Sequence, residues 1–391
     1  MSIGTERKSL IVFMIVAVAL VAGAFWLIRW LSTGGPTRAV AEPGQIVFIS
    51  DRMGEPDLWI MEEDGSNAKR LVVHPGQERE TLFAPDGEWI YYTSEFGGNV
   101  YQIGRARPTG RGAGKLLAGT DAEGSISITT TGPRLGYIRN SQMFSSELDG
   151  KNPRRELPSA GDESLGADVA QVAEGDAPAL RRYSYTHYSP TKGWIAAISQ
   201  AYDNQRAFLS LGRDWPTGAL LGPDGKQSLG EEVFFDWSPD GDKLVLSCYG
   251  PPGITFLAVY APSADMEAPQ AIPAFEPSVV LLEDRTNGIG IRRPVWSANG
   301  KIYFERVINI KDGAREEDGI WEISPEGGKP KRIIEGRALF PKPSPDGRFL
   351  LYIKGPDIYR YEFETGQSKN LTNEQGINRF PSWSPILNNS N

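Results

Sequence analysis

The sequence predicts an all-β chain of repeated four-stranded units, preceded by one apolar helix. Three observations carry this. A Ser-Pro-Asp-Gly-like turn recurs along residues 45–391, each time followed by a short β-branched or aromatic run. Gly (44) and Pro (29) are abundant and ten Trp are present, which suits many tight turns around a β-rich core. Residues 9–28 form a run without a single charge.

The repeat is read element by element. The clear copies are FAPDGEWIYYTS from Phe83, WSPDGDKLVLSC from Trp237 and PSPDGRFLLYIK from Pro343. Weaker copies start at Tyr188, Trp296 and Thr129, and a truncated one, WSPI, at Trp383. Aligned on the proline position, the anchors are Pro85, Thr130, Pro190, Pro239, Ala298, Pro345 and Pro385, with gaps of 45, 60, 49, 59, 47 and 40 residues. That period fits four short strands per unit, the blade of a β-propeller. An aromatic two residues before the anchor (Phe83, Tyr188, Trp237, Trp296, Trp383) ends the first strand. Asp-Gly pairs (Asp86-Gly87, Asp240-Gly241, Asp346-Gly347) make the tight turn, because Gly tolerates positive φ. The apolar run after it is the second strand. DLWIM from Asp57, NVYQI from Asn99, GIWEI from Gly319 and DIYRY from Asp357 supply third strands, and KRLVV, KRIIE and SKNLT supply fourth strands.

The chain ends complement each other. The last copy stops after its first strand, and the repeat region opens with a second strand, QIVFISD from Gln45. One blade assembled from both termini would close the ring and hide its open edges. The prediction is seven blades. An open stack of sheets, or a six-bladed ring with one degenerate unit, is the alternative; the Thr130 copy is the weakest.

Residues 9–31 are long enough to span a bilayer. Arg7 and Lys8 precede the run, Arg29 follows it, and Trp26 and Trp30 sit where interfacial aromatics would lie. A cleaved signal peptide, cut near Ala39-Val40-Ala41, is the competing expectation, but the run is longer than usual for one. The organisation is therefore a cytoplasmic stub at 1–8, an anchor at 9–31, a linker at 32–44 and the propeller at 45–391, held in the periplasm or outside the cell. Residues 1–44 hold four basic and two acidic residues, so the rest is more acidic than the whole chain's −8. That balance argues against nucleic acid as a partner.

Chemistry is sparse. One Cys excludes an intrachain disulfide, and two His, His74 and His187, leave little for histidine catalysis or zinc. No Gly-x-Ser-x-Gly nucleophile turn occurs. TGRGAGKLL from Thr109 imitates a phosphate loop, but Thr109 stands in place of its first Gly and Leu116 in place of its Ser/Thr; it is read as a hairpin loop. His187 is read as a packed histidine. No cofactor, metal ligand or catalytic residue is assigned. Two features bear on binding. Residues 156–180 hold six acidic residues and no Lys or Arg, which predicts a mobile loop or, alternatively, a partner-docking arm. Arg79, Arg292 and Arg379 all lie six residues before an anchor. Guanidinium groups there would favour a carboxylate-bearing partner; pairing with acids such as Glu78 and Glu80 is the plainer expectation.

The Trp-Ser-Pro-Asp-Gly turn, hydrophobic strand and Asp-Ile-Tyr pattern resembles the WD40-like repeats of TolB-type β-propellers, over roughly residues 45–391. The resemblance implies that the first strand is innermost and starts near the mouth of the central channel. It also implies protein–protein interaction at the propeller faces, in a bacterial envelope. The functional expectation is a membrane-anchored, monomeric, non-enzymatic binding scaffold. A propeller enzyme or small-ligand protein with a site in the channel is the alternative, and a sensor domain the third.

Overall fold

The computed structural model describes residues 40–386, apart from 74–77, 97–99, 118–122, 130–131, 158–180, 192–193, 202–206, 214, 221–231, 251–253, 263–277, 287 and 310–314. The predicted stub, anchor and most of the linker lie outside the described residues, as does His74. Among the described residues there are 28 strands and no helix.

The chain opens with β1 (Ile46–Ser50), β2 (Asp57–Met61) and β3 (Lys69–Val72). β4 (Glu78–Phe83), β5 (Ile90–Glu95), β6 (Tyr101–Ala106) and β7 (Gly114–Lys115) form a sheet, as do β8 (Glu123–Ile128), β9 (Arg134–Arg139), β10 (Gln142–Glu147) and β11 (Arg154–Leu157). β12 (Arg181–Tyr188), β13 (Trp194–Ala201), β14 (Ala207–Arg213) and β15 (Trp215–Leu220) form the next. Then come β16 (Glu232–Trp237), β17 (Leu244–Gly250), β18 (Ile254–Tyr260) and β19 (Val279–Asp284). β20 (Ile289–Trp296), β21 (Ile302–Asn309), β22 (Arg315–Ile323) and β23 (Lys331–Glu335) follow, and then β24 (Leu339–Pro343), β25 (Phe349–Lys354), β26 (Asp357–Glu362) and β27 (Gln367–Asn370). Finally β28 (Asn378–Trp383) returns to pair with β1.

The described strands therefore make seven antiparallel sheets of four. Each first strand packs against the first strands of both neighbouring sheets, and β28 packs against β4 and β24. The first strands thus surround a common axis, and the sheets radiate as propeller blades.

Burial follows from that arrangement. A blade is covered on both faces by its neighbours, so its middle strands need apolar residues without alternation. All five residues of IVFIS in β1 and of DLWIM in β2 are buried, whereas QSKN in β27, a fourth strand, is almost wholly exposed. The core is distributed between sheets. Ile46, Phe48 and Met61 of the head pack with Phe349, Leu351, Ile358 and Trp383 of the tail.

Closure occurs as predicted. Ile46 pairs with Trp383, Val47 with Ser382, Ile49 with Arg379 and Ser50 with Asn378. Arg52 fastens the joint: its guanidinium donates to Gln375 Oε1 (3.2 Å) and Asn378 Oδ1 (3.1 Å) and stacks over Phe48 and Trp59.

The repeat residues have identifiable jobs. Phe83, Tyr188, Trp237, Trp296 and Trp383 each end a first strand. Trp237 Nε1 donates to the His187 carbonyl and Trp383 Nε1 to the Lys342 carbonyl, both at 3.0 Å, so the indole ties its sheet to the preceding first strand. In the turns, Gly87, Gly241 and Gly347 have φ of 67°, 73° and 70°. Asp86 Oδ1 accepts from the Glu88 N–H and Asp346 Oδ1 from the Arg348 N–H, both at 3.0 Å. The Ser238 hydroxyl donates to Asp240 and holds its carboxyl below the usual range. Asp346→Ala removes such a turn, and a loss of about 0.5–1.5 kcal/mol in urea unfolding is expected.

The boundaries of the acidic insert need correction. Glu156 and Leu157 belong to β11, and Glu156 is buried, pairing with Arg154 Nε at 2.7 Å and with the Ser145 hydroxyl. The remainder, 158–180, lies outside the described residues. The Thr109 segment is the turn between β6 and β7, as read from the sequence.

Candidate functional site

The wall around the axis is built from the first strands, and its local geometry departs from a regular ladder. Pairing shifts register in β4, β8, β12, β20 and β24, and opposite β28 between Val47 and Ile49. The residue five before the anchor takes positive φ without being glycine in five of these strands: Glu80 (49°), Ser125 (52°), Arg293 (45°), Phe340 (57°) and Phe380 (50°). Such bulges re-aim side chains and free backbone groups from the ladder. Those groups are satisfied across the seams. Glu80 Oε2 accepts from the Ile126 N–H (3.3 Å) and Ser125 Oγ from the Thr186 N–H (2.9 Å). The Phe340 N–H donates to Glu305 Oε1 (2.6 Å), and Thr81 Oγ1 donates to the Phe380 carbonyl (2.6 Å).

This layer is part aromatic and part charged. The Arg293 guanidinium lies 5.4 Å from the Phe234 ring centre and 4.2 Å from that of Phe340, and pairs with Glu305 at 2.7 Å. Tyr185 is 40% exposed, its ring edge-on to Phe235. Burial pushes the Glu80 and Glu305 carboxyls up; Arg293 partly offsets this at Glu305.

Two residues nearer the anchor, His187 Nδ1 lies 3.4 Å from Asp236 Oδ1, while Asp236 Oδ2 accepts from the Trp296 N–H at 2.9 Å. His187, read from the sequence as a packed histidine, is half-buried, with its Nδ1 buried beside the Asp236 carboxylate.

The three predicted arginines are only partly brought together. Arg79 and Arg379 lie on the adjacent strands β4 and β28, at the same repeat position. Arg292, on β20, is separated from β28 by the β24 sheet and lies opposite Glu305 in the ladder. Arg79 is exposed and stacks over Tyr101 at 4.2 Å, and Arg379 Nη1 donates to the Gly355 carbonyl at 3.4 Å. The acids named as partners are engaged elsewhere: Glu78 accepts from Ser94 and Glu80 from Ile126.

Comparison with known proteins bears on the fold more than on the site. No family model matches the chain. A 64-residue segment is 33% identical to the Tol-Pal system protein TolB of Helicobacter hepaticus, and the match spans 15% of each chain. Among solved structures, an oligogalacturonate lyase in complex with manganese superposes with a TM-score of 0.53 at 11% identity, over 79% of this chain and 82% of that one. The acylaminoacyl peptidase of Pyrococcus horikoshii gives 0.52 at 13% identity, over 84% of this chain and 51% of that one. TolB from Acinetobacter baumannii gives 0.47 at 15% identity, over 92% of this chain and 70% of that one.

Proposed function

We propose that this chain, a TolB-like β-propeller, is a membrane-anchored extracytoplasmic binding scaffold that takes an acidic protein segment at the mouth of its channel. The observation that carries the reading is the placement of Arg79 and Arg379 on adjacent inner strands of a closed ring, with neither of the nearby acids Glu78 and Glu80 paired to Arg79. Arg292 extends the same ring of positions. A rigid disc with loop-built faces is a recognition surface. The guanidinium fork suits carboxylates. Residues 9–31 would hold the disc to the membrane, and the kinship with TolB supports a periplasmic setting.

The test uses the full chain in detergent and a fluorescent glutamate-rich peptide, with its glutamine twin as control. R79E/R379E is expected to weaken binding of the acidic peptide by at least about tenfold, equivalent to about 1.4 kcal/mol. Salt should weaken the parent's binding in the same direction. A double variant that binds as well as the parent refutes the proposal.

The alternative, an enzyme or small-ligand site within the channel, is favoured by one observation, the His187–Asp236 pair on the wall. A carboxylate beside an imidazole is a common arrangement for proton transfer, and here the two lie 3.4 Å apart without a hydrogen bond between them. Under this reading, H187A abolishes turnover or ligand binding and leaves capture of the acidic peptide unchanged.

A further inference from the structure

One tight turn of the repeat carries asparagine where the clear copies carry aspartate. Asn299-Gly300 stands where Asp86-Gly87, Asp240-Gly241 and Asp346-Gly347 stand. The backbone is the same. Gly300 has φ of 80°, and its N–H donates to the Ser297 carbonyl at 3.0 Å, as the Gly347 N–H does to the Ser344 carbonyl at 2.9 Å. Asn299 Oδ1 accepts from the Lys301 N–H at 3.1 Å, as Asp240 Oδ1 does from the Asp242 N–H. The asparagine adds a bond of its own: its Nδ2 donates to the Tyr303 hydroxyl at 2.9 Å. Tyr303 is buried and stacks on Phe363 with ring centres 4.8 Å apart, so that hydroxyl is fixed in place.

An asparagine followed by glycine is open to deamidation, because no Cβ hinders attack of the glycine nitrogen on the side-chain amide. The Gly300 nitrogen gives its proton to solvent and bonds to Asn299 Cγ. The Cγ–Nδ2 bond breaks and ammonia leaves. Water then opens the cyclic imide. Cleavage of the new N–Cγ bond gives aspartate; cleavage between that nitrogen and the backbone carbonyl carbon gives isoaspartate, whose main chain runs through Cγ. Nothing is oxidised or reduced, and solvent is the co-reactant. Asn299 and Gly300 are both exposed, so water reaches them.

We propose that Asn299 is a latent deamidation site at the seam between the β20 and β24 sheets, held unreacted by the closed turn and freed to react when that turn comes apart. Three bonds oppose the attack. The Gly300 N–H points at the Ser297 carbonyl, so its peptide plane must rotate before the nitrogen can face Cγ. The carboxamide is held at its oxygen by the Lys301 N–H and at its nitrogen by the Tyr303 hydroxyl.

The two products differ in what they do to the seam. The next sheet's turn rests on this one: a Cβ on Gly347 would lie 2.7 Å from the Asn299 nitrogen. Aspartate keeps the backbone and the bond from the Lys301 N–H, as the three sister turns do, and accepts from the Tyr303 hydroxyl where the amide donated to it. Isoaspartate lengthens the main chain by one carbon beneath Gly347, so the tight turn and the contact are lost together.

The test is incubation of the full chain in detergent, in mildly alkaline buffer with and without urea, followed by tryptic peptide mass spectrometry. The Asn299 peptide is distinct from that of the sequence's other Asn-Gly pair, Asn287-Gly288. Asn299 in the folded parent should deamidate at least about tenfold more slowly than in the unfolded chain. Tyr303→Phe, shown by circular dichroism to be folded, should raise the folded rate by about threefold or more, the worth of one hydrogen bond. Asn299→Asp should unfold at the same urea concentration as the parent. Equal rates in the folded and unfolded parent overturn the proposal. So does a folded Tyr303→Phe chain that deamidates no faster than the parent, and so does an Asn299→Asp chain that unfolds well before it. If Tyr303→Phe does not fold, the comparison within the parent decides alone.

Discussion

Trp383→Ala is expected to cost about 3–5 kcal/mol of stability in urea unfolding. Its indole is 8% exposed, stacks on Phe349 with ring centres 6.3 Å apart and donates to the Lys342 carbonyl at 3.0 Å. The residue lies on the last strand of the ring and opposite Ile46 on the first, so the cavity opens where head and tail meet. Trp383→Phe keeps an aromatic ring against Phe349 and loses the hydrogen bond. Its cost should be smaller, about 1–2 kcal/mol. The two variants separate packing from the tie between sheets. An unfolding midpoint unchanged by Trp383→Ala would mean that β28 is not part of the cooperative structure.

Gly319→Ala is expected to cost about 3 kcal/mol or more, through a clash and through backbone strain together. Gly319 has φ of +122°, and a Cβ there would lie 1.9 Å from the carbonyl oxygen of Ile334 on β23. That neighbour is backbone in a paired strand and cannot turn away. The change also disturbs Asp318, whose carboxylate accepts from Arg306 Nε (2.6 Å), Trp321 Nε1 (3.1 Å) and Arg332 Nη1 (3.0 Å). Gly328 is the control. It too has positive φ, at 114°, but nothing lies within 4 Å of its Cβ position. Gly328→Ala should therefore cost only about 1 kcal/mol. Equal melting shifts for the two variants would contradict the close approach at Gly319.

Much of the fold is legible because its signals are local. A tight turn needs Gly at positive φ, so Asp86-Gly87, Asp240-Gly241 and Asp346-Gly347 mark the same bend each time. The aromatic that ends five of the seven first strands is marked because a large ring fills the gap to the preceding sheet, as Trp237 and Trp383 do. The stitched blade is legible because the repeat is cut between its first and second strands. The channel wall is not legible in this way. Its bulges place Glu80, Arg293, Phe340 and Phe380 in the left-handed region, where residue identity gives no hint. Their cost is met by bonds from the next sheet, such as Glu305 on the Phe340 N–H. The His187–Asp236 pair depends on which residues two separate sheets bring to one seam, and turn chemistry does not encode that. Glu156 misled for a related reason: an acid at the head of an acidic stretch reads as solvated, yet a strand, Arg154 and Ser145 bury it.

The central claim is that the ring is closed by pairing of the first and last strands, and a cross-link tests it most directly. Val47 and Ser382 are opposed in the ladder, and opposed residues of an antiparallel pair fall within the Cα separation that a disulfide spans. Val47→Cys/Ser382→Cys, with the buried Cys248 changed to Ser, should oxidise in the folded full chain to one intramolecular disulfide and unfold at higher denaturant than its reduced form. Two thiols that stay reduced, and that react freely with alkylating reagent while the rest of the chain remains folded, would show that head and tail lie apart.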